Sequence, residues 1–203
     1  MKSEETENKV SEPYTEYGKY SYADYLTWEL DEMVEIIKGK VFKSAAAAPR
    51  RIHQKISLKI ANRIFNFLQN KSCEVYTAPF DVRLPVKSKK NEDIYTVVQP
   101  DISVICDRSK LDEAGCLGAP DLIIEILSPG NNRKELKYKY EVYEESGVRE
   151  YWVVHPNEQT LLVYTLISGK YLSSRFYTPG DIVLSECIEG FSLKLDDVFN
   201  DLD

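Results

Sequence analysis

Two carboxylates lie in segments that otherwise have the composition of buried strands. Glu125 stands near the end of the apolar run Asp121–Leu127, and Asp101 opens a second apolar run, Ile102–Cys106. Burying a carboxylate costs several kcal/mol unless a proton, a cation or hydrogen bonds compensate for it. Strand alternation places each side chain at one end of a face, so the two carboxylates converge if these strands are neighbours.

Two oxygen ligands on rigid strands suit Mg²⁺, or Mn²⁺ in its place, because such an ion leaves its other positions to water and phosphate. A metal held in this way activates water and neutralises the charge that develops during phosphodiester hydrolysis. The pattern is also open to a simpler explanation. Asp101 would then only begin a strand after the Pro100 turn, and Glu125 would pair with a buried Lys or Arg.

The composition is that of one globular domain. The chain has 203 residues, of which 43% are hydrophobic and 29% charged, and this excludes collagen-like, low-complexity and wholly disordered proteins. The net charge of −7 gives no support to a protein that simply coats nucleic acid, although residues 41–95 hold 11 Lys or Arg against 4 Asp or Glu. This basic sector could hold phosphates, or it could be a solvated helix face.

Several familiar sites are absent from the sequence. It has no GxGxxG after a strand and no GxxxxGK[ST], GxSxG or HExxH motif, so we expect no nucleotide cofactor. The four cysteines show no CxxC spacing, which favours reduced packing thiols over a zinc site or a disulfide framework. No run is apolar enough to span a membrane or to serve as a signal peptide, so we expect a cytoplasmic protein without a membrane partner.

The hydrophobic pattern predicts an α/β (α+β) domain, a mixed sheet flanked by helices. Polar residues 1–19 are expected to form a flexible arm before a single domain at 20–203. The predicted helices cover about Tyr22–Asp31 with Ser21 as N-cap, the segment between Pro49 and Asn70, and Asn132–Ser146. The predicted strands and the exposed loop Lys87–Asp93 follow from alternation and turn residues; the strands are Met33–Ile37, Cys73–Ala78, Phe80–Val86, Val97–Cys106, Leu122–Leu127, Glu150–Val154, Leu161–Ile167, Lys170–Tyr177 and Ile182–Leu184.

Residues 97–156 combine QPD, GAPDLIIEILSP, a lysine-bearing helix and GVREYW in that order. In these motifs the chain resembles the bacterial Uma-two family, which belongs to the PD-(D/E)xK nuclease superfamily. A weaker similarity extends from Glu35 to about Leu166. The resemblance implies a restriction-endonuclease-like core, and a homodimer is expected from it.

The resemblance also implies roles for particular residues. In the superfamily, the aspartate of PD and the glutamate of the next strand bind the metal, which implies Asp101 and Glu125. The superfamily lysine normally stands two residues after the glutamate, where this chain has Leu127. The Uma-two family carries its lysine in the next helix instead, and Lys139 matches it. A lysine there would orient or deprotonate the attacking water.

Lys139 has an alternative explanation as a surface lysine paired with Glu135. Helical spacing puts Glu135, Lys139 and Tyr143 on one stripe, so Tyr143 would also face the site. Lys134 and Lys137 are weaker candidates for the catalytic lysine.

Four further residues are candidates for a place around the metal or the phosphate. Glu35 matches the first glutamate of the family pattern E-L-I-D-G-E, although lysines stand at the two other acidic places, 38 and 40. His53 matches a family histidine, and Gln99 belongs to the QPD motif. Asp121 shares a strand face with Glu125 and is a reserve ligand. A strand-edge role for Glu35, a packed role for His53 and a capping role for Asp121 stay open.

We therefore predict a Mg²⁺-dependent endonuclease that hydrolyses DNA phosphodiester bonds. Two other functions stay open. The chain could be a catalytically inactive nuclease fold that binds nucleic acid or protein, or it could be a metal-dependent phosphodiesterase with a substrate other than DNA.

Overall fold

The structure is a computed structural model that describes residues 20–29, 33–43, 51–128 and 133–202. The predicted arm, residues 1–19, lies outside these ranges. The helices are α1 (Tyr22–Tyr25), α2 (Arg51–Leu68), α3 (Arg133–Ser146) and α4 (Leu195–Phe199). The strands are β1 (Val34–Ile37), β2 (Lys40–Lys43), β3 (Glu74–Thr77), β4 (Val82–Arg83), β5 (Val97–Val98), β6 (Ile102–Ile105), β7 (Leu111–Asp112), β8 (Gly115–Leu117), β9 (Leu122–Ile126), β10 (Glu150–His155), β11 (Thr160–Ile167), β12 (Lys170–Ser173), β13 (Ile182–Leu184) and β14 (Ser192–Lys194).

The described strands form two six-stranded mixed sheets and one small hairpin. The first sheet has the order β2-β1-β5-β4-β8-β7, the second has the order β12-β11-β10-β9-β6-β3, and β13 pairs with β14. In the second sheet, β9 and β10 are parallel and are joined through α3, which is the expected crossover connection. The predicted class, α/β with a mixed sheet flanked by helices, is confirmed, with two large sheets where one was expected.

The two long helices pack on opposite faces of the second sheet. In α2, Ile56, Ile60 and Ile64 are fully buried and pack with the even-numbered side chains of β6 and β9. In α3, Val142 and Tyr143 pack on the other face, in a cluster that also holds residues of the first sheet. The helix therefore lies against both sheets, which is the reason that its side chains can reach a junction between them.

The predicted strand Val97–Cys106 is wrong as a single element. The chain leaves the first sheet after β5 and enters the second sheet at β6, and Gln99-Pro100-Asp101 forms the connection. Pro100 has no N–H for a ladder, and the N–H of Gln99 donates to the Glu35 side chain instead of a strand partner. The apolar residues on both sides of the break hide it from pattern analysis.

Other predicted elements are confirmed in type but differ in extent. The helix at Ser21 has its capping box with Asp24. It is a single turn that ends at Tyr25, and the next residue, Leu26, is exposed. The predicted strand at Phe80–Val86 is reduced to two residues, and the strand at Lys170–Tyr177 ends at Ser173. Within the described ranges, no helix is long and apolar enough to cross a membrane.

A buried carboxylate ties β10 to the C-terminal hairpin. Glu150 is 1% exposed, and its carboxylate accepts from the Trp152 Nε1–H, the Ser185 hydroxyl and the backbone N–H of Glu186. A fully hydrogen-bonded buried carboxylate stabilises one arrangement of the elements around it, because a variant arrangement would leave the charge unsatisfied. This glutamate has a structural role.

The expectation of four reduced thiols is wrong for two of them. β3 and β6 pair with Glu74 opposite Ile105, so the next residues along, Cys73 and Cys106, face each other and form a disulfide. The pair is separated by 33 residues in the sequence, and only the strand register brings it together. Cys116 and Cys187 are free and buried.

The Cys73–Cys106 disulfide predicts how many cysteines react with an alkylating reagent before and after reduction. Protein that is unfolded in denaturant without reductant should react with an alkylating reagent at two cysteines, and at four after reduction. Mass spectrometry of the digest should place the unreduced adducts at Cys116 and Cys187. Four adducts before reduction would contradict the disulfide.

Candidate active site

The register of the second sheet brings Asp101 and Glu125 together. β6 and β9 are antiparallel with Ile102 opposite Ile124, and the next step of this register places Asp101 opposite Glu125. Directly opposed residues share a face and lie about 5 Å apart at Cβ. The Asp101 Oδ2 atom accepts the backbone N–H of Ile126 at 2.7 Å, which fixes the aspartate beside the strand that carries Glu125. The predicted convergence of the two carboxylates is confirmed.

Two side chains of α3 contact the Glu125 carboxylate. The Lys139 ammonium lies 3.0 Å from Glu125 Oε1, and the Tyr143 hydroxyl donates to the same oxygen at 2.8 Å. These two residues are one helical turn apart, so one stripe of α3 faces the glutamate, as predicted. Lys139 is only 5% exposed, which contradicts the alternative that it is a surface lysine.

Glu35 joins the site from β1 of the first sheet. Its Oε2 atom lies 3.0 Å from the Lys139 ammonium, and its Oε1 atom accepts the backbone N–H of Gln99 at 2.7 Å. Glu35 is 5% exposed and is therefore not a strand-edge carboxylate. The lysine lies between Glu35 and Glu125, and the site spans both large sheets.

His53 approaches Asp101 from the first turns of α2. Its Nε2 atom lies 3.2 Å from Asp101 Oδ2. Burial lowers the pKa of His53, but the Asp101 carboxylate, the backbone of Ile126 and the charge of Glu125 together raise the pKa above its ordinary value. The histidine is thus an ion-pairing neighbour of Asp101, on the side of the aspartate away from Lys139's helix.

Some candidates are not brought to the site. Asp121 lies at the other end of β9, where it accepts the N–H of Cys106 and pairs with Arg149. The expectation of a reserve ligand at Asp121 is corrected, because the strand carries Glu125 roughly 13 Å further along. Lys137 is exposed on α3 and pairs with Glu141. The side chains of Lys134 and Glu135 lie outside the described residues.

The two lysines at acidic places of the family pattern have separate roles. Lys38 occupies the hairpin turn between β1 and β2 with a positive φ of 52°, and its ammonium pairs with Glu145 and Glu141 of α3. Lys40 lies over the ring of Tyr138. Both therefore hold α3 against the first sheet, and Glu35 is the acidic residue of this element at the site.

Sequence reasoning missed two residues beside the site. The Gln99 side-chain amide donates to Asp81 Oδ1 at 2.8 Å and to the Tyr25 hydroxyl at 3.3 Å. Asp81 is the last residue of the connection between β3 of the second sheet and β4 of the first sheet, and Tyr25 ends α1. Neither has a sequence spacing that relates it to Gln99, so only the tertiary structure could show this network.

The donor set suits a cation that shares its coordination with water. Glu125 makes both of its contacts through Oε1, and Asp101 makes both of its contacts through Oδ2. Among the described residues, the other oxygen of each carboxylate has no hydrogen-bond partner. No group of three or more His, Cys, Asp or Glu side chains in the described ranges is arranged to hold a metal alone. Mg²⁺ needs only one or two carboxylates beside water and phosphate oxygens, so the residues fit that ion.

The surroundings of Glu125 raise the pKa of its carboxyl group to about 7. Burial is the main cause, the nearby Asp101 and Glu35 carboxylates add to it, and Lys139 and the Tyr143 hydrogen bond oppose it. Two further carboxylates near a buried glutamate make its ionisation costly unless an additional cation is present.

This shift predicts how stability depends on pH. The folded protein holds the Glu125 proton at pH values where the unfolded chain, with a pKa near 4.5, has lost it. The contribution of Glu125 to the free energy of unfolding therefore falls as pH rises from about 4.5 to about 7. In urea titrations, the stability of Glu125→Gln relative to the wild type should rise between pH 5 and pH 8. Glu92→Gln, at an exposed glutamate, is the matched control and should follow the wild type; a pH-independent difference for Glu125→Gln would contradict the shift.

The sequence of the chain matches the model of a known protein family. Residues 22–196 match the sequence model of the Uma2 (Uma-two) family, described as "Putative restriction endonuclease". This range contains every residue that the structure brings to the site. The resemblance carried by QPD and GAPDLIIEILSP is confirmed.

Two individual proteins are similar to the chain. An uncharacterized protein of Synechocystis sp. is 27% identical over 133 residues, 64% of this chain, and the match spans 65% of that relative's length. The crystal structure of "a putative nuclease belonging to DUF820" from Anabaena variabilis superposes with a TM-score of 0.69 at 22% identity, over 90% of this chain and 99% of that one. The second likeness shows that the two chains share a fold.

Proposed function

The chain belongs to the Uma2 family, described as "Putative restriction endonuclease", and from this premise we propose that it is a Mg²⁺-dependent endonuclease that hydrolyses DNA phosphodiester bonds. In this proposal Asp101 and Glu125 hold the metal, for which Mn²⁺ can substitute, and Lys139 acts on the attacking water. A homodimer and a cytoplasmic location are parts of the same proposal.

One observation carries the proposal. The strand register places the carboxylates of Asp101 and Glu125 opposite each other. The ammonium of Lys139, a buried residue of α3, lies 3.0 Å from Glu125 Oε1. A structural ion pair would need one carboxylate for one lysine, whereas this site gathers Glu35 as well. An excess of negative charge in a buried site is costly, and a divalent cation would remove that cost.

When bound, the metal would lower the pKa of a coordinated water and neutralise charge on the phosphate. The protein's own groups do the rest. The Lys139 ammonium orients the attacking water and stabilises negative charge that develops on the phosphate oxygens. Glu35 and Tyr143 hold Lys139 and Glu125 in place, and His53 does the same for Asp101.

The surface next to the site supports an anionic polymer as substrate. α2 carries His53 into the site and bears Arg51, which is exposed, and Lys55, which is partly exposed, on the same turns. Basic side chains in this position would contact phosphates on either side of the scissile bond. The basic sector read from the sequence thus includes the helix that enters the site.

Cleavage is tested with supercoiled plasmid in Mg²⁺ or Mn²⁺. The wild type should nick it, EDTA should stop the reaction, and Asp101→Asn and Glu125→Gln should lose activity by about 100-fold or more, because each removes a metal ligand. Lys139→Ala should lose roughly 100-fold for want of the group that positions water. Asp121→Asn, a carboxylate of the same strand outside the site, is the matched control and should cut like the wild type.

The alternatives give different results in that assay. Equal inertness of all the proteins would contradict the endonuclease and favour an inactive binding module or another phosphodiester substrate. Equal activity of wild type and site variants would indicate a contaminating nuclease.

Metal binding has a readout that does not depend on cleavage. Mg²⁺ at saturating concentration should stabilise the wild type by about 1–3 kcal/mol, a rise of a few degrees in Tm, relative to KCl of equal ionic strength. Asp121→Asn should keep this rise, whereas Asp101→Asn and Glu125→Gln should lose it. A rise of the same size in all four proteins would place the bound metal elsewhere.

A further inference from the structure

A groove with a volume of about 440 Å³ lies next to the proposed active site. Its walls come from α1, the connections around β3, β4 and β5, and the turn before β8. The described residues that line it are Tyr25, Tyr76, Pro79, Phe80, Asp81, Gln99, Asp112, Glu113, Ala114 and Gly115.

The groove and the carboxylate pair share one face of the second sheet. Tyr76 pairs with Ser103, and Asp101 is two residues before Ser103 on that strand's face. Diagonal neighbours of this kind lie about 7–8 Å apart. Gln99 makes the second connection, because its backbone N–H contacts Glu35 while its side chain lines the groove. A phosphodiester at Asp101 would therefore have an adjoining nucleotide beside the groove.

One wall of the groove is aromatic. The rings of Tyr76 and Phe80 are stacked with 4.3 Å between centroids and 8° between planes. Both side chains are partly exposed. A flat aromatic platform next to a phosphodiester site suits stacking with a base, which every nucleobase can supply.

The groove is also lined by hydrogen-bond acceptors. Asp81 and Gln99 lie side by side, and the Gln99 Oε1 atom is buried without a hydrogen-bond partner among the described residues. Asp112 and Glu113 add carboxylates at the rim. None of the described residues that line the groove is Lys, Arg or His, so this lining disfavours phosphate and favours an uncharged group that donates N–H.

The position of Asp81 is fixed by tight backbone packing. The Asp81 carbonyl accepts the N–H of Cys116 at 2.8 Å. Gly115 has a φ of +120°, and a Cβ on it would collide with that same carbonyl. The backbone that carries Asp81 is therefore held in one position, as a preorganised binding site requires.

We propose that this groove binds a nucleobase next to the scissile phosphate and prefers a base with an exocyclic amino group, namely adenine, cytosine or guanine, over thymine. The base stacks on the Tyr76–Phe80 platform, and its amino group donates to Asp81 and Gln99. Unpaired thymine has a methyl group and two carbonyl acceptors, and its one base donor is the ring N3–H between those carbonyls, so it lacks the exocyclic amino donor. The inference rests on the proposed function only for the position of the phosphodiester. The base must be unpaired to enter, so the groove selects single-stranded or locally opened nucleic acid.

The test is equilibrium binding of fluorescein-labelled pentanucleotides of dA, dC or dT, measured by anisotropy in EDTA, so that neither metal nor cleavage contributes. The wild type should bind the dA and dC oligomers more tightly than the dT oligomer. Phe80→Ala should weaken binding of the dA and dC oligomers roughly ten-fold through loss of stacking. Asp81→Asn should reduce the preference over dT while keeping the stacking contribution. Phe176→Ala, at an exposed aromatic residue outside the groove, is the matched control and should bind like the wild type.

The results separate this inference from the proposed function. Equal affinity for the three oligomers, no binding of any, or no effect of Phe80→Ala in a protein with native circular dichroism would overturn the groove assignment, even if plasmid is cut. Base-dependent binding that is lost in Phe80→Ala would support the groove, even if cleavage fails and the site proves inactive.

Discussion

The ammonium of Lys139 lies between two buried carboxylates, 3.0 Å from Glu125 and 3.0 Å from Glu35, and the packing around the site is built on these ion pairs. Each of the three groups would be costly to bury without the others. Because Glu35 belongs to the first sheet, Glu125 to the second and Lys139 to α3, the ion pairs fix three layers relative to one another. Lys38 repeats the arrangement at the surface, where it pairs with Glu141 and Glu145 of the same helix.

Two buried glutamates of the domain, Glu150 and Glu125, differ in how fully their carboxylates are hydrogen-bonded. Glu150 accepts hydrogen bonds from neutral groups of its own surroundings, through both oxygens, and its charge is fully satisfied. Glu125 makes its contacts through one oxygen, and its burial, together with two nearby carboxylates, raises its pKa to about 7. A carboxylate held in this condition is suited to binding a cation or a proton during function.

A three-residue connection between the sheets organises both the site and the groove beside it. Gln99 contacts Glu35 through its backbone and Asp81 through its side chain. Pro100 ends the first sheet's ladder, and Asp101 begins the carboxylate pair. A change of sheet at this point places the pair at an accessible end of β6, where Asp101 is partly exposed while the strand behind it is buried. The irregular backbone therefore leaves Asp101 partly exposed at the end of a buried strand.

The sequence by itself determined the fold class, the two long helices, the strand that carries Glu125, and Asp101 and Glu125 as candidate metal ligands, whereas Lys139 became a candidate through the family resemblance. Local periodicity and an apolar run broken by a charge depend only on residues close together in the chain, so they can be recognised from a single sequence. The tertiary structure alone decided that Glu35 and His53 reach the carboxylate pair, that Asp121 does not, that Cys73 meets Cys106, and that Asp81 and Tyr25 surround Gln99. These relations depend on strand register and on which sheet a strand enters, and both are set by packing between residues far apart in the chain.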